Sequence, residues 1–128
     1  MIFVRKKEFV EMDLQRIEIM IERFERIAEN RRDYLRLGGN IDDEMLWENI
    51  AFQMLQAGEQ VSKISDEVKS RFPHVDWRRI KYNRNIYAHD YENQEKEDIE
   101  QIVKKNVPVY LEQLHGVRNY LLLEVSKY

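Results

Sequence analysis

The sequence predicts an all-α protein, an antiparallel bundle of four to five helices. Three observations carry this. Charged residues make up 35% of the chain and hydrophobic residues 43%, with only 4 Gly and 2 Pro. That balance suits helices and leaves too few turn residues for a strand-rich domain. Apolar residues recur at alternating steps of three and four along most of the chain. Gly38-Gly39-Asn40 and Phe72-Pro73 interrupt that pattern where helices should stop.

The first helix is expected from about Lys7 to Leu35. Val10, Leu14, Ile17, Ile21, Phe24 and Ala28 form one stripe, widened by Ile19, Met20 and Ile27. Asp42 or Asp43 offers an N-cap for a second helix, about Asp43 to Ser70, carrying Leu46, Ile50, Met54, Gly58, Val61, Ile64 and Val68. Gly58 inside a helix costs roughly 1 kcal/mol against Ala, which suggests a close helix crossing there. Asp76 caps a third helix from Trp77 towards His89, and residues Tyr91 to Glu97 read as a polar turn. The last helical stretch carries Ile99, Ile102, Val103, Val107, Leu111, Leu114, Val117 and Leu121. Pro108 should kink or split it near Lys105, because proline lacks the amide donor and clashes with the preceding turn.

With 128 residues the chain is read as one domain, 1–128, large enough to bury a core. It has no Cys, which excludes disulfides and thiolate metal sites and fits a reducing cytoplasm. The apolar start Met1-Ile2-Phe3-Val4 is too short for a signal peptide or membrane span, so a soluble, cytoplasmic protein is expected. The net charge of −3 counts against bulk nucleic-acid binding and restricts any such contact to a local basic patch.

Such a patch exists between Trp77 and Tyr91. It holds Arg78, Arg79, Lys81 and Arg84, three tyrosines (Tyr82, Tyr87, Tyr91), Asn83, Asn85 and His89. Phosphate chemistry needs a fixed cation on the non-bridging oxygens and a group that exchanges protons near neutral pH, roles suited to Arg and His. The plainer reading is a solvated helix face ending in a histidine. Asn85 and His89, four apart, share a face. Arg84 and His89, five apart, lie about 140° from each other around an ideal helix. They converge only through the reach of Arg84 or a helix ending near His89. RNA cleavage also wants both a base and an acid, and a two-fold dimer would supply a second copy of the site.

The pattern of Arg84, Asn85 directly after it, His89 and Tyr91 resembles the HEPN domain of HepT-like toxins. Trp77 seven residues before Arg84, Phe72-Pro73, Gly58-Glu59 and the Val/Leu-rich last helix with Pro108 sit where that family tends to have such residues, so the likeness spans about Leu14 to Leu121. The resemblance implies a homodimeric bundle with two motifs facing each other across a cleft. It implies a metal-independent endoribonuclease without cofactor, with Arg84 and His89 catalytic and Asn85 beside them, and with RNA contacts at Arg78, Arg79 and Lys81. It also implies a nucleotidyltransferase antitoxin partner that transfers AMP to Tyr91, silencing the site by bulk and negative charge. Assembly of the dimer with that partner into a larger hetero-oligomer stays open. In the family a Gly-Met-like pair more often stands where Lys81-Tyr82-Asn83 precede Arg84 here, a difference that bears on substrate preference.

The rival from another class is a non-catalytic module that holds a nucleotide or docks the nucleotidyltransferase, with Arg84 gripping phosphate only. Glu112-x-x-His115 has the spacing of a di-iron ligand pair but lacks the second copy such a centre needs. Glu59 reads equally as a cleft residue or a plain surface carboxylate, and Trp47 and Trp77 read as core or interface aromatics. Arg26, Arg31, Arg32 and Arg36, like Lys104-Lys105, read as solvated helix faces.

Overall fold

The computed structural model describes residues 6–40, 43–89 and 96–128, with backbone alone for 84–89 and for residue 96. Among these residues all regular structure is helical. Helix α1 (Lys7–Arg36) carries Val10, Ile17, Met20, Ile21, Phe24 and Ile27 on its buried side. Ile27 closes that stripe, whereas Ala28 is exposed. The helix stops at Gly38, the one residue with positive φ (90°) among those described. Gly39 N–H bonds to the Tyr34 carbonyl at 2.9 Å and Gly38 N–H to that of Leu35 at 3.1 Å. This is a glycine C-cap that satisfies the last carbonyls. A Cβ on Gly39 would overlap the Tyr34 ring, whose hydroxyl donates to Asp43. The turn is thus fixed to the start of the next helix.

Asp43 caps α2 (Glu44–Val61) by accepting from Met45 N–H at 2.8 Å; its sequence rival Asp42 lies outside the described residues. The expected long second helix is two helices. The chain leaves α2 after Val61, turns through Ser62-Lys63-Ile64 and restarts as α3 (Asp66–Arg71). The reason is polar. Asp13, 3% exposed on α1, accepts from Ser65 N–H at 2.9 Å and from its hydroxyl at 2.7 Å. Ser65 Oγ in turn caps Val68 N–H at 3.3 Å, with Asp66 and Glu67 in the first turn. Such a set of bonds outcompetes continued helix.

Helix α4 spans Trp77–His89, as the sequence predicts. After the segment outside the description come α5 (Lys96–Gln101), a π-helical stretch Ile102–Asn106 and α6 (Val107–Val125). Pro108 sits in the first turn of α6. Its missing N–H leaves the preceding turn without a regular bond. The ladder widens there, and Val107 N–H reaches back to Ile102. The break falls where the sequence places it.

Helix α1 packs between α2 and α6, and α2 packs between α1 and α4. Three polar contacts fix an antiparallel α1–α2 register: Arg16 to Gln60 at 3.5 Å, Arg23 to Gln53 at 3.2 Å and Asn30 to Asn49 at 3.1 Å. The core runs through Phe24, Met20, Ile50, Trp47, Met54, Ile80, Ile99, Leu114 and Leu121. Phe24 meets Tyr110 of α6, ring centroids 5.4 Å apart. Both tryptophans are core residues, and Gly58 is buried on α2. No helix among the described residues is long and apolar enough to cross a membrane.

Candidate functional site

The start of α4 is held from several directions. Asp76 Oδ1 accepts from Arg79 N–H at 3.1 Å, the N-cap that the sequence predicts. The Trp77 indole N–H donates to the Phe72 carbonyl at 3.1 Å. Gln113 of α6 donates to the His74 carbonyl at 3.1 Å, tying the preceding turn to the far helix. These bonds fix the rotation of α4 about its own axis, and so decide which residues it presents.

Trp77, Ile80 and Asn83 face inwards. Asn83 lies beside the Tyr110 phenol, and its Nδ2 meets no hydrogen-bond partner among the described residues. Burial raises the Tyr110 pKa above its ordinary value, partly opposed by the Asn106 amide, at 3.5 Å from the hydroxyl, and by the charge of Arg79. On the other side Arg78, Arg79, Lys81 and Tyr82 are exposed, Tyr82 by 61%. The whole of α4 carries four cations and no carboxylate.

The backbone stays α-helical to His89, so register assigns positions to faces. Steps of four, three and four join positions 78, 82, 85 and 89 in one line, whose described members Arg78 and Tyr82 are exposed. Position 84 follows Trp77 by seven and Ile80 by four, on the line whose described members are buried. The regular helix therefore keeps positions 84 and 89 about 140° apart. Helix α4 as described reaches His89, and the residues that decide whether a helix ending there lets Arg84 and His89 converge lie outside the described residues. The side chains of Arg84, Asn85 and His89, and all of Tyr91, lie outside the described residues.

Cations elsewhere are largely engaged. Arg26 pairs with Glu22 at 2.8 Å and Arg36 with Asp33 at 3.3 Å. Arg31 makes a two-pronged contact with Glu100, its Nε at 3.2 Å, and Lys104 joins the same carboxylate at 3.2 Å. Arg71 lies over the Tyr120 ring, 4.6 Å from its centre. Among the described residues no carboxylate pairs with Arg78, Arg79 or Lys81. The net −3 charge thus coexists with an unneutralised basic face on α4. His115 Nε2 of α6 lies 3.6 Å from the Glu25 carboxylate of α1.

Comparison with protein-family models decides the assignment: residues 8–117 match the model described as ribonuclease HepT-like. The chain belongs to the HepT-like family. The match covers every helix up to the middle of α6, including all of α4, and the HepT-like assignment agrees with the all-helical architecture. Comparisons with curated proteins and with solved structures gave no significant match. The sequence places Asn83 and Tyr82 in the patch but does not say which faces inwards and which is exposed. Buried Asn83 gives no apolar signal. Tyr82 was visible as one of three tyrosines, but its line with Arg78 and His89 is legible only once the helix is known to run unbroken.

Proposed function

We propose that the protein is a metal-independent endoribonuclease, the toxin of a HEPN/nucleotidyltransferase pair, acting as a two-fold dimer in the cytoplasm. The observation that supports it most is α4: a helix inside a ribonuclease HepT-like match that carries Arg84, Asn85 and His89 amid four cations and no carboxylate. In this reading His89 takes the proton of the ribose 2′-hydroxyl as that oxygen attacks phosphorus. Arg84 steadies the extra negative charge on the phosphorane. The bond from phosphorus to the 5′ oxygen breaks, that oxygen takes a proton, and a 2′,3′-cyclic phosphate remains. Asn85, on the same face as position 89, orients imidazole or phosphate. Arg78, Arg79 and Lys81 hold the flanking backbone.

One regular helix holds positions 84 and 89 on different faces, while the imidazole that takes the 2′-hydroxyl proton can return it to the leaving 5′ oxygen. A second copy facing the first sets its Arg84 beside this His89. The partner nucleotidyltransferase silences the site when the Tyr91 oxygen attacks the α-phosphorus of ATP and pyrophosphate leaves, placing a phosphodiester beside the cleft. The separation of positions 84 and 89 also favours a second reading, a module that grips nucleotide without cutting.

The test is to incubate the wild-type protein and His89→Ala with cellular RNA in EDTA, after mass analysis shows Tyr91 unmodified. Wild type should yield fragments ending in 2′,3′-cyclic phosphate and His89→Ala none. Equal survival of the RNA in both would remove the nuclease reading and leave the binding module.

A further inference from the structure

Tyr82 differs in its surroundings from Tyr34, Tyr110 and Tyr120. The hydroxyls of Tyr34, Tyr110 and Tyr120 each have a partner, in Asp43, Asn106 and Glu124. Tyr82 is 61% exposed, and among the described residues neither its ring nor its hydroxyl meets a protein partner. A single exposed aromatic residue is ordinary on a protein surface. The surroundings of this one are not. Arg78 and Arg79 precede it by four and three residues, so both lie one turn earlier, Arg78 along the same line and Arg79 about 60° round the helix, and among the described residues no carboxylate pairs with either. Position 89 lies seven residues further along the same line, about 10 Å along the helix axis.

We propose that Tyr82 is a stacking platform for an unpaired RNA base, with phosphate contacts at Arg78 and Arg79. This deepens the ribonuclease reading and rests on it for the identity of the ligand. A phenol ring offers a flat face to any base, while guanidinium groups one turn earlier take the backbone oxygens; aromatic stacking beside a cationic track is how single strands are held without sequence readout. A duplex keeps its bases stacked internally and cannot present one. Tyr82 therefore selects unpaired strands and seats a nucleotide near the one that reaches position 89.

The experiment uses a fluorescein-labelled 2′-O-methyl RNA strand, which lacks the attacking hydroxyl and so reports binding without cleavage. The full-length protein in EDTA is titrated with this strand and with its duplex, for wild type, Tyr82→Ala and Tyr82→Phe. Tyr82→Ala should weaken binding of the unpaired strand about tenfold, since each stacked base contributes at that scale. Tyr82→Phe should stay within about twofold of wild type because the ring persists, and affinity for the duplex should not change. Unaltered strand binding by Tyr82→Ala would overturn the proposal. So would a switch from dimer to monomer in sedimentation, which would assign Tyr82 to a protein contact. Cleavage of ordinary RNA, followed in parallel, separates the two readings. Cleavage with Tyr82-independent binding sinks only the platform, and Tyr82-dependent binding without cleavage sinks only the nuclease.

Discussion

At the scale of single residues, buried polar groups are the most sensitive points of this chain. The Asp13 carboxylate satisfies both the Ser65 N–H and its hydroxyl. Asp13→Ala leaves those donors without an acceptor in a poorly hydrated place, so it should lower stability by about 2–3 kcal/mol. Urea unfolding checks this through a lower midpoint at unchanged slope, with Asp13→Asn recovering part of the loss because its amide oxygen still accepts. Tyr110 predicts a pH effect. Burial raises its pKa above the ordinary 10.0, so the folded chain holds the phenolic proton more tightly than the unfolded chain does. Its contribution to stability is whole below pH 10 and is lost as pH rises through the raised value. Tyr110→Phe should therefore flatten the alkaline decline of stability relative to wild type, measured by denaturant unfolding on both sides of pH 10. A parallel decline in the two proteins would contradict the assignment.

At the scale of elements, the Arg31–Glu100 contact joins α1 to α5 and, through Lys104, to the π-helical turn ahead of Pro108. Both side chains are mostly covered, at 20% and 15% exposure. Arg31→Ala should cost about 1–2 kcal/mol, less than a fully buried pair because Lys104 still faces the carboxylate. A double-mutant cycle with Glu100→Ala should return a coupling of about 1 kcal/mol, and additive losses would show that the pair contributes nothing. This contact was not legible in the sequence. Arg31 read there as one of four solvated arginines, and nothing local says which carboxylate lies across the bundle. What was legible is what periodicity and caps encode: α1 up to Gly38, the Asp76 cap, the span of α4 and the break before Pro108. The split between α2 and α3 escaped because Ile64 and Val68 keep the apolar period. The deciding bond from Asp13 to Ser65 comes from a residue 52 positions away. The cue that was present, Ser65 followed by Asp66 and Glu67, is a helix start lying inside an apparently continuous stripe.

At the scale of the whole molecule, the charge distribution matters more than its sum. In a chain of net charge −3, Lys7, Arg26, Arg31 and Arg36 of α1 pair with carboxylates, while among the described residues none pairs with Arg78, Arg79 or Lys81 of α4. Electrostatic attraction to RNA should then be confined to the exposed face of α4. Lys81→Ala should weaken single-strand binding and lower the slope of log affinity against log salt by about 0.7, the share of one phosphate contact, whereas Arg36→Ala should leave the slope unchanged. We take residues 1–128 as one cooperative domain, for which circular dichroism and fluorescence should report a single coincident unfolding transition. The central claim is that α4 forms a ribonuclease site that a second copy completes, because a regular helix holds positions 84 and 89 on different faces. Co-expressing Arg84→Ala and His89→Ala chains with different affinity tags, and isolating the mixed dimer through both, tests it most directly. In a site shared across the two-fold, one of the two clefts then regains an intact Arg84 and an intact His89. The mixed dimer should cut RNA in EDTA at about half the wild-type rate, while each variant on its own stays inactive. A mixed dimer as inactive as its parents, beside an active wild type, would contradict completion by a second copy.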